Sequence, residues 1–140
     1  MSEATKVYLA GPIHGRTDDE CKAWRHTAKV VLHLAGCEVI DPMRRDYRGT
    51  EDGFVQDIVT LDKKDIESCD AVLANVNAPS WGTAMEIAYA WAIGKRVFGF
   101  ATHASAPTIS PWLRVHCRGV FDSLGHAVDA IVRDSAKGAR

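Results

Sequence analysis

No run of the chain approaches the ~18 consecutive apolar residues that a helix needs to span a bilayer. Met1–Lys6 is polar, and the apolar run Val7–Ile13 is too short for a secretory signal, so neither a membrane protein nor an exported one is expected. No sign of charge dominates: 17 Lys and Arg stand against 18 Asp and Glu, a formal net charge of −1. That balance gives no footing to a nucleic-acid polymer or an anionic membrane surface. Cysteine is sparse, with four residues at 21, 37, 69 and 117. None forms a CxxC pair, which argues against a zinc site or a thioredoxin motif; reduced, partly buried thiols in a cytoplasmic protein are the expectation. Repeats and low-complexity linkers are missing too.

The common catalytic signatures are also missing. There is no GxGxxG and no Walker A loop, which disfavours a dinucleotide or nucleoside-triphosphate site. There is no GxSxG elbow. The six histidines (14, 26, 33, 103, 116, 126) are scattered without HExxH spacing, so metal catalysis is not expected.

What is present is an ordinary globular balance over 140 residues, 46% apolar and 25% charged. One domain over residues 1–140 is expected, with a frayed tail at 137–140. The elements alternate. Strands are expected at 7–10, 37–40, 71–76, 96–101 and 119–121. Helices are expected at 18–35, 53–68, 82–93, 109–116 and 123–134, with a polar loop at 43–52. This order implies a flavodoxin-like, doubly wound parallel sheet of five strands with helices on both faces. For strand order 2-1-3-4-5, ligands bind between the loops after the first and third strands, here 11–16 (GPIHGR) and 77–86 (NAPSWGTAME).

Glu86 breaks the pattern most sharply. The helix at 82–93 is apolar nearly all round, which predicts burial, and Glu86 is its only charge. Burying a carboxylate costs several kcal/mol, as an order of magnitude, unless it is paired. Asp62 stands where the apolar stripe Val55, Ile58, Val59, Ile66 predicts an apolar residue. Its plain reading is a stripe edge bridged to a lysine, with Lys63, Lys64, Asp65 and Glu67 on a solvated face. Gly11 and Gly15 permit close backbone approach to a ligand. His14 is the one histidine in a site loop. Arg44, Arg45 and Arg48 lie near the crevice and suit an anion or a solvated loop equally. Trp24, Trp91 and Trp112 are expected in the core; Trp81 either walls a pocket or packs there too.

These pieces together resemble the nucleoside 2-deoxyribosyltransferase family, which includes nucleoside 5'-monophosphate N-glycosidases. The segments that carry the resemblance are VYLAGPI (7–13), DPMRRDYRG (41–49), D-x-x-x-I-x-x-C-D (62–70) and, most specific, PSWGTAMEIAYAWAIGK (79–95). The resemblance implies that Glu86 is a nucleophile toward the anomeric carbon, with Tyr8 orienting it and Asp62 near the departing base. It also places Gly11, Ile13, His14, Gly15, Asp46, Arg48, Ser80, Gly82 and Ser110 around the substrate, and it calls for neither metal nor cofactor.

One departure separates the branches. Nucleoside transferases of the family carry Asp six residues before the nucleophile; here that position is Ser80, as in the nucleotide N-glycosidases. An aspartate there repels a 5'-phosphate, whereas a serine donates to it. Ser110, a natural N-cap before Pro111, stands where the neighbouring subunit contributes to the site, so a homodimer or higher homo-oligomer is implied. The leading expectation is hydrolysis of the base–sugar bond of a (2'-deoxy)nucleoside 5'-monophosphate. Alternatives are a true deoxyribosyltransferase, a non-catalytic nucleotide sensor and, less in keeping with the residues, a flavin-binding protein.

Overall fold

The computed structural model describes residues 3–102 and 108–138; His103 and the last two residues of the tail lie outside them. Five strands form one sheet: β1 (Lys6–Ala10), β2 (Glu38–Ile40), β3 (Ala71–Asn75), β4 (Arg96–Phe100) and β5 (Gly119–Phe121). Their order is β2-β1-β3-β4-β5 and every pairing is parallel, the expected topology. Four helices connect them, α1 (Asp18–Leu34), α2 (Val55–Ser68), α3 (Trp81–Ala92) and α4 (Pro111–His116), and α5 (Leu124–Gly138) follows the last strand.

Strand alternation divides the core into two layers. Val7 and Leu9 of β1 point to the face covered by α1 and α5, where Ala28, Leu32, Val128 and Ile131 meet them. Tyr8 and Ala10 point the other way, toward Ile66 of α2 and Ile87 and Ala90 of α3. Tyr8 is paired in register with Ile40 and Val72, so its ring rises from the middle of the sheet.

Local sequence explains the helix ends. Thr17 and Glu20 form a complete capping box at α1, a feature worth about 1 kcal/mol. Gly36 takes φ +83° just past its end. Ser80 caps α3 by accepting from the Thr83 amide, and Ser110 caps α4 in the same way from Trp112.

Four expectations need correction. The segment after β2 is not plain loop: Pro42–Arg44 and Glu51–Gly53 are 3-10 turns. The last helix ends later than Asp134, since α5 runs on to Gly138. The apolar helix α3 is buried on one side only, at Thr83, Ile87 and Ala90. Trp81 is 89% exposed and Met85 71%, and Trp91 and Trp112 are also exposed rather than core. A helix laid on an open sheet covers one of its sides, and among the described residues nothing covers the other at Trp81 and Met85. Trp112 stacks instead on His116 at a ring separation of 5.6 Å, and Trp91 meets the same ring tilted, at 4.7 Å. Trp24 alone of the expected core tryptophans packs against the core.

Candidate active site

The connections from β1 and β3 leave to opposite faces, and the crevice opens between them. Tyr8 is fully buried under it. Its hydroxyl donates a very short hydrogen bond to the carboxylate of Glu86, which descends from the second turn of α3. Burial pushes the Glu86 carboxyl up to about 8, and the charge of Asp62 adds to this. The Tyr8 hydrogen bond and the charge of Arg25 work against that rise. The Tyr8 phenol is pushed far above its ordinary value, by burial first and then by the charges of Glu86 and Asp62. It therefore stays a donor at any physiological pH.

Asp62 lies close enough to act electrostatically on both Tyr8 and Glu86. Its partner is not a lysine but Arg45, at 3.1 Å. Arg45 also reaches Asp65 at 2.7 Å, and Arg44 grips Asp65 with both terminal nitrogens at 2.8 and 2.9 Å. Asp65 is thus buried in an ion cluster rather than on a solvated face. Burial raises the Asp62 carboxyl against the pull of Arg45. Burial also opposes ionisation of Asp65, but the two arginines outweigh it and hold that carboxyl below the usual range. The three arginines, which suited an anion or a solvated loop equally, are matched to carboxylates of the chain itself, Arg48 with Asp46 and Asp18. Asp46 is lowered to about 2, chiefly by its hydrogen bond from Arg48.

The loop after β1 is stitched to its surroundings. His14 meets Glu51 at 2.9 Å, and Arg16 donates to the Pro79 carbonyl of the loop after β3. Arg48 donates to the Arg16 carbonyl. Gly15 takes φ +71°, which favours glycine. Gly11 is required for space: a Cβ there would lie 2.5 Å from the Trp24 ring.

Ser80 and Ser110 come together, but on the other flank of α3. They line a cavity of about 680 Å³ between α3 and α4, walled by Trp81, Ile87, Trp112 and Leu113. Glu86, Tyr8 and Asp62 do not line it. Ser80 Oγ accepts from the Thr83 amide and hydroxyl at 3.3 and 3.0 Å, which leaves its own hydrogen to donate. Gly82, in the first turn of α3, is exposed with open space where a Cβ would stand.

Three residues beside the site escaped the sequence reading: Thr83, Asp65 and Arg25. Arg25 was legible by the argument that found Asp62, since it stands on the buried stripe Cys21, Arg25, Ala28, Leu32.

The profile of the nucleoside 2-deoxyribosyltransferase family matches residues 7–131. The chain belongs to that family. It is accordingly an enzyme of the deoxyribosyltransferase or N-glycosidase type. Among solved structures, it is similar to a 2-deoxyribosyltransferase from Bacillus psychrosaccharolyticus, with 19% identity, 91% of this chain and 96% of that one covered, and a TM-score of 0.72. It is also similar to the CMP N-glycosidase BcmB of Clostridium botulinum, with 19% identity, 91% and 98% covered, and a TM-score of 0.61. A conserved protein from Enterococcus faecalis V583 gives 15% identity, 91% and 87% covered, and a TM-score of 0.58. At these identities the likeness is one of fold. No curated protein sequence matches the chain. Among the described residues, no helix is long and apolar enough to cross a membrane.

Proposed function

We propose that this enzyme hydrolyses the N-glycosidic bond of a (2'-deoxy)nucleoside 5'-monophosphate through a glycosyl ester of Glu86. The observation that carries the reading is the Tyr8–Glu86 contact at the switch point of the sheet. In the first step a Glu86 oxygen bonds to the anomeric carbon, and the carbon–nitrogen bond breaks with its electron pair leaving on the base. Asp62 stands beside the departing base and holds it or gives it a proton. In the second step water attacks the same carbon, the ester bond returns its pair to Glu86, and the water proton leaves. The products are free base and sugar 5-phosphate. The residues of this chain suffice for both steps, with no metal or cofactor taking part.

Ser80 and Gly82, with the first turn of α3, take the phosphate, while Gly11, Ile13, His14 and Gly15 border the sugar. Asp46 and Arg48, locked to each other, edge the base side. The chain works as one domain, in the cytoplasm, and pairs as a homodimer or higher oligomer. The bare tryptophans of α3 and α4 support that pairing, since a contiguous exposed apolar face marks an interaction surface. Ser110 then reaches the neighbour's site.

The test is a panel of nucleosides and their 5'-monophosphates, ribo and deoxy, with free base quantified by chromatography. Base released from monophosphates alone supports the hydrolase. Release from unphosphorylated deoxynucleosides, diverted by an added base, makes the enzyme a transferase. No release from any of them contradicts catalysis and leaves a nucleotide-binding sensor.

A further inference from the structure

Arg25 is the bulkiest of the fully buried side chains, 1% exposed. Taking a guanidinium out of water costs several kcal/mol, as an order of magnitude, so its place needs a reason. Packing alone is a poor one, because the neighbouring stripe positions are filled by Cys21, Ala28 and Leu32. Its contacts supply a better one. One terminal nitrogen donates to the Cys21 carbonyl at 2.9 Å, and the other donates to the Gly11 carbonyl at 3.0 Å. Nε lies 3.3 Å from Asp41, an ionic contact without hydrogen-bond alignment. Asp41 is held in turn by Lys29 at 2.7 Å and by the Met43 amide at 2.9 Å. The guanidinium lies 4.7 Å from the centre of the Trp24 ring, the ring against which Gly11 is packed.

Gly11 is not the only carbonyl drawn inward. The Cys21 thiol lies 3.7 Å from the Pro12 oxygen and 3.6 Å from the Ile13 oxygen. Three successive carbonyls thus point at α1. No peptide bond of the described residues is cis. In a planar trans peptide the N–H points opposite to the carbonyl of the same unit. The amides of Ile13 and His14, which share units with the Pro12 and Ile13 carbonyls, therefore point away from α1.

We propose that Arg25 is a positioning residue: by fastening the Gly11 carbonyl from below, it fixes the direction in which the loop presents the Ile13 and His14 amides to substrate. This rests on the reading of that loop as part of the substrate site. Arg25 itself touches no reacting atom. Its fork is the feature that matters, because the two terminal nitrogens of one guanidinium hold two carbonyls at a fixed spacing while the charge faces Asp41, a geometry that lysine does not reproduce.

The test uses Arg25→Lys, which keeps the charge, and Arg25→Met, which does not. Two readouts are taken on the full chain. Backbone 15N relaxation reports the order parameters of Ile13, His14 and Gly15 without any substrate. A held loop gives about 0.85, and both variants are expected to fall below about 0.6 there while β1 and β3 stay rigid. Steady-state kinetics on the preferred substrate is expected to show KM raised about tenfold in Arg25→Lys with kcat changed less than about threefold. Order parameters that stay high in the loop overturn the proposal, as does loosening spread evenly over the sheet. If Arg25→Met fails to fold, Arg25→Lys decides. The relaxation readout is independent of turnover: loop loosening in a protein that cleaves nothing leaves Arg25 as the loop's anchor and defeats only the assignment of function.

Discussion

The flank of α3 that faces β1 and α2 is built from ionisable groups already bound to one another. The flank that faces α4 is built from hydroxyls and apolar walls. Glu86, Tyr8, Asp62, Arg45 and Asp65 make up the first. Ser80, Thr83, Ile87 and the α4 residues Ser110, Trp112 and Leu113 make up the second. One twelve-residue helix divides them, and the difference matches the two roles proposed for them, bond breaking and substrate recognition. A carboxylate that must attack a sugar carbon gains nucleophilicity from being stripped of water, but it must be able to ionise. The first flank meets both needs, with burial raising Glu86 while the Tyr8 hydroxyl and the charge of Arg25 favour its anion. The second flank carries no such tension. Its serines cap helices, and their residual hydrogen-bonding capacity suits recognition of an anion at a helix N-terminus rather than bond breaking.

The strongest way to break this contrast is to exchange the chemistry on one flank. Glu86→Gln keeps the shape of the first flank and removes its nucleophile, so kcat is expected to fall by about 10⁴ or more. Ser80→Ala on the second flank is expected to leave kcat within about tenfold and to act on KM. Stopped or steady-state assays of both variants side by side check this; equal losses would dissolve the distinction.

A smaller effect sharpens it. Ser80→Asp places a negative charge at the second flank. We expect kcat/KM to drop about 100-fold for a 5'-monophosphate and less than about threefold for the matching nucleoside, the repulsion being worth roughly 2–3 kcal/mol. A uniform drop on both substrates would remove the phosphate from Ser80.

The smallest effect is in pH. In the proposed mechanism the attacking form of Glu86 is the anion, and burial raises its carboxyl to about 8. Activity should therefore climb as pH rises toward 8 and be lost as pH falls below it, by about tenfold per unit in kcat/KM on the acid limb. Ser80→Ala should leave that limb in place. A limb near the ordinary glutamate value would contradict the desolvated nucleophile.

Much of this was legible in the residues. The alternation of 2.0 and 3.6 periods placed strands and helices along the chain, because each element's polar and apolar positions repeat locally; the crevice followed only once the common doubly wound strand order was assumed. Glu86 and Asp62 were visible as charges where the pattern demands apolar groups. Arg25 carried the same signal, a charge on the buried stripe Cys21, Ala28, Leu32. The Arg44–Arg45–Asp65 cluster was not legible at all. Its partners are 20 and 21 residues apart, and only the 3-10 turn at Pro42–Arg44 aims the arginines at α2. The exposure of Trp91 and Trp112 was misjudged for another reason: hydrophobicity says that a residue is to be covered, not that its own chain covers it.

Intact-protein mass spectrometry of the enzyme, quenched in acid during turnover of a 2'-deoxynucleoside 5'-monophosphate, tests the central claim most directly. The account predicts an added mass of one deoxyribosyl phosphate group (deoxyribose phosphate less one water), located on the peptide that holds Glu86 and absent from Glu86→Gln. Steady turnover by Glu86→Gln at the wild-type rate, or an adduct on a residue of the α4 flank, would contradict it.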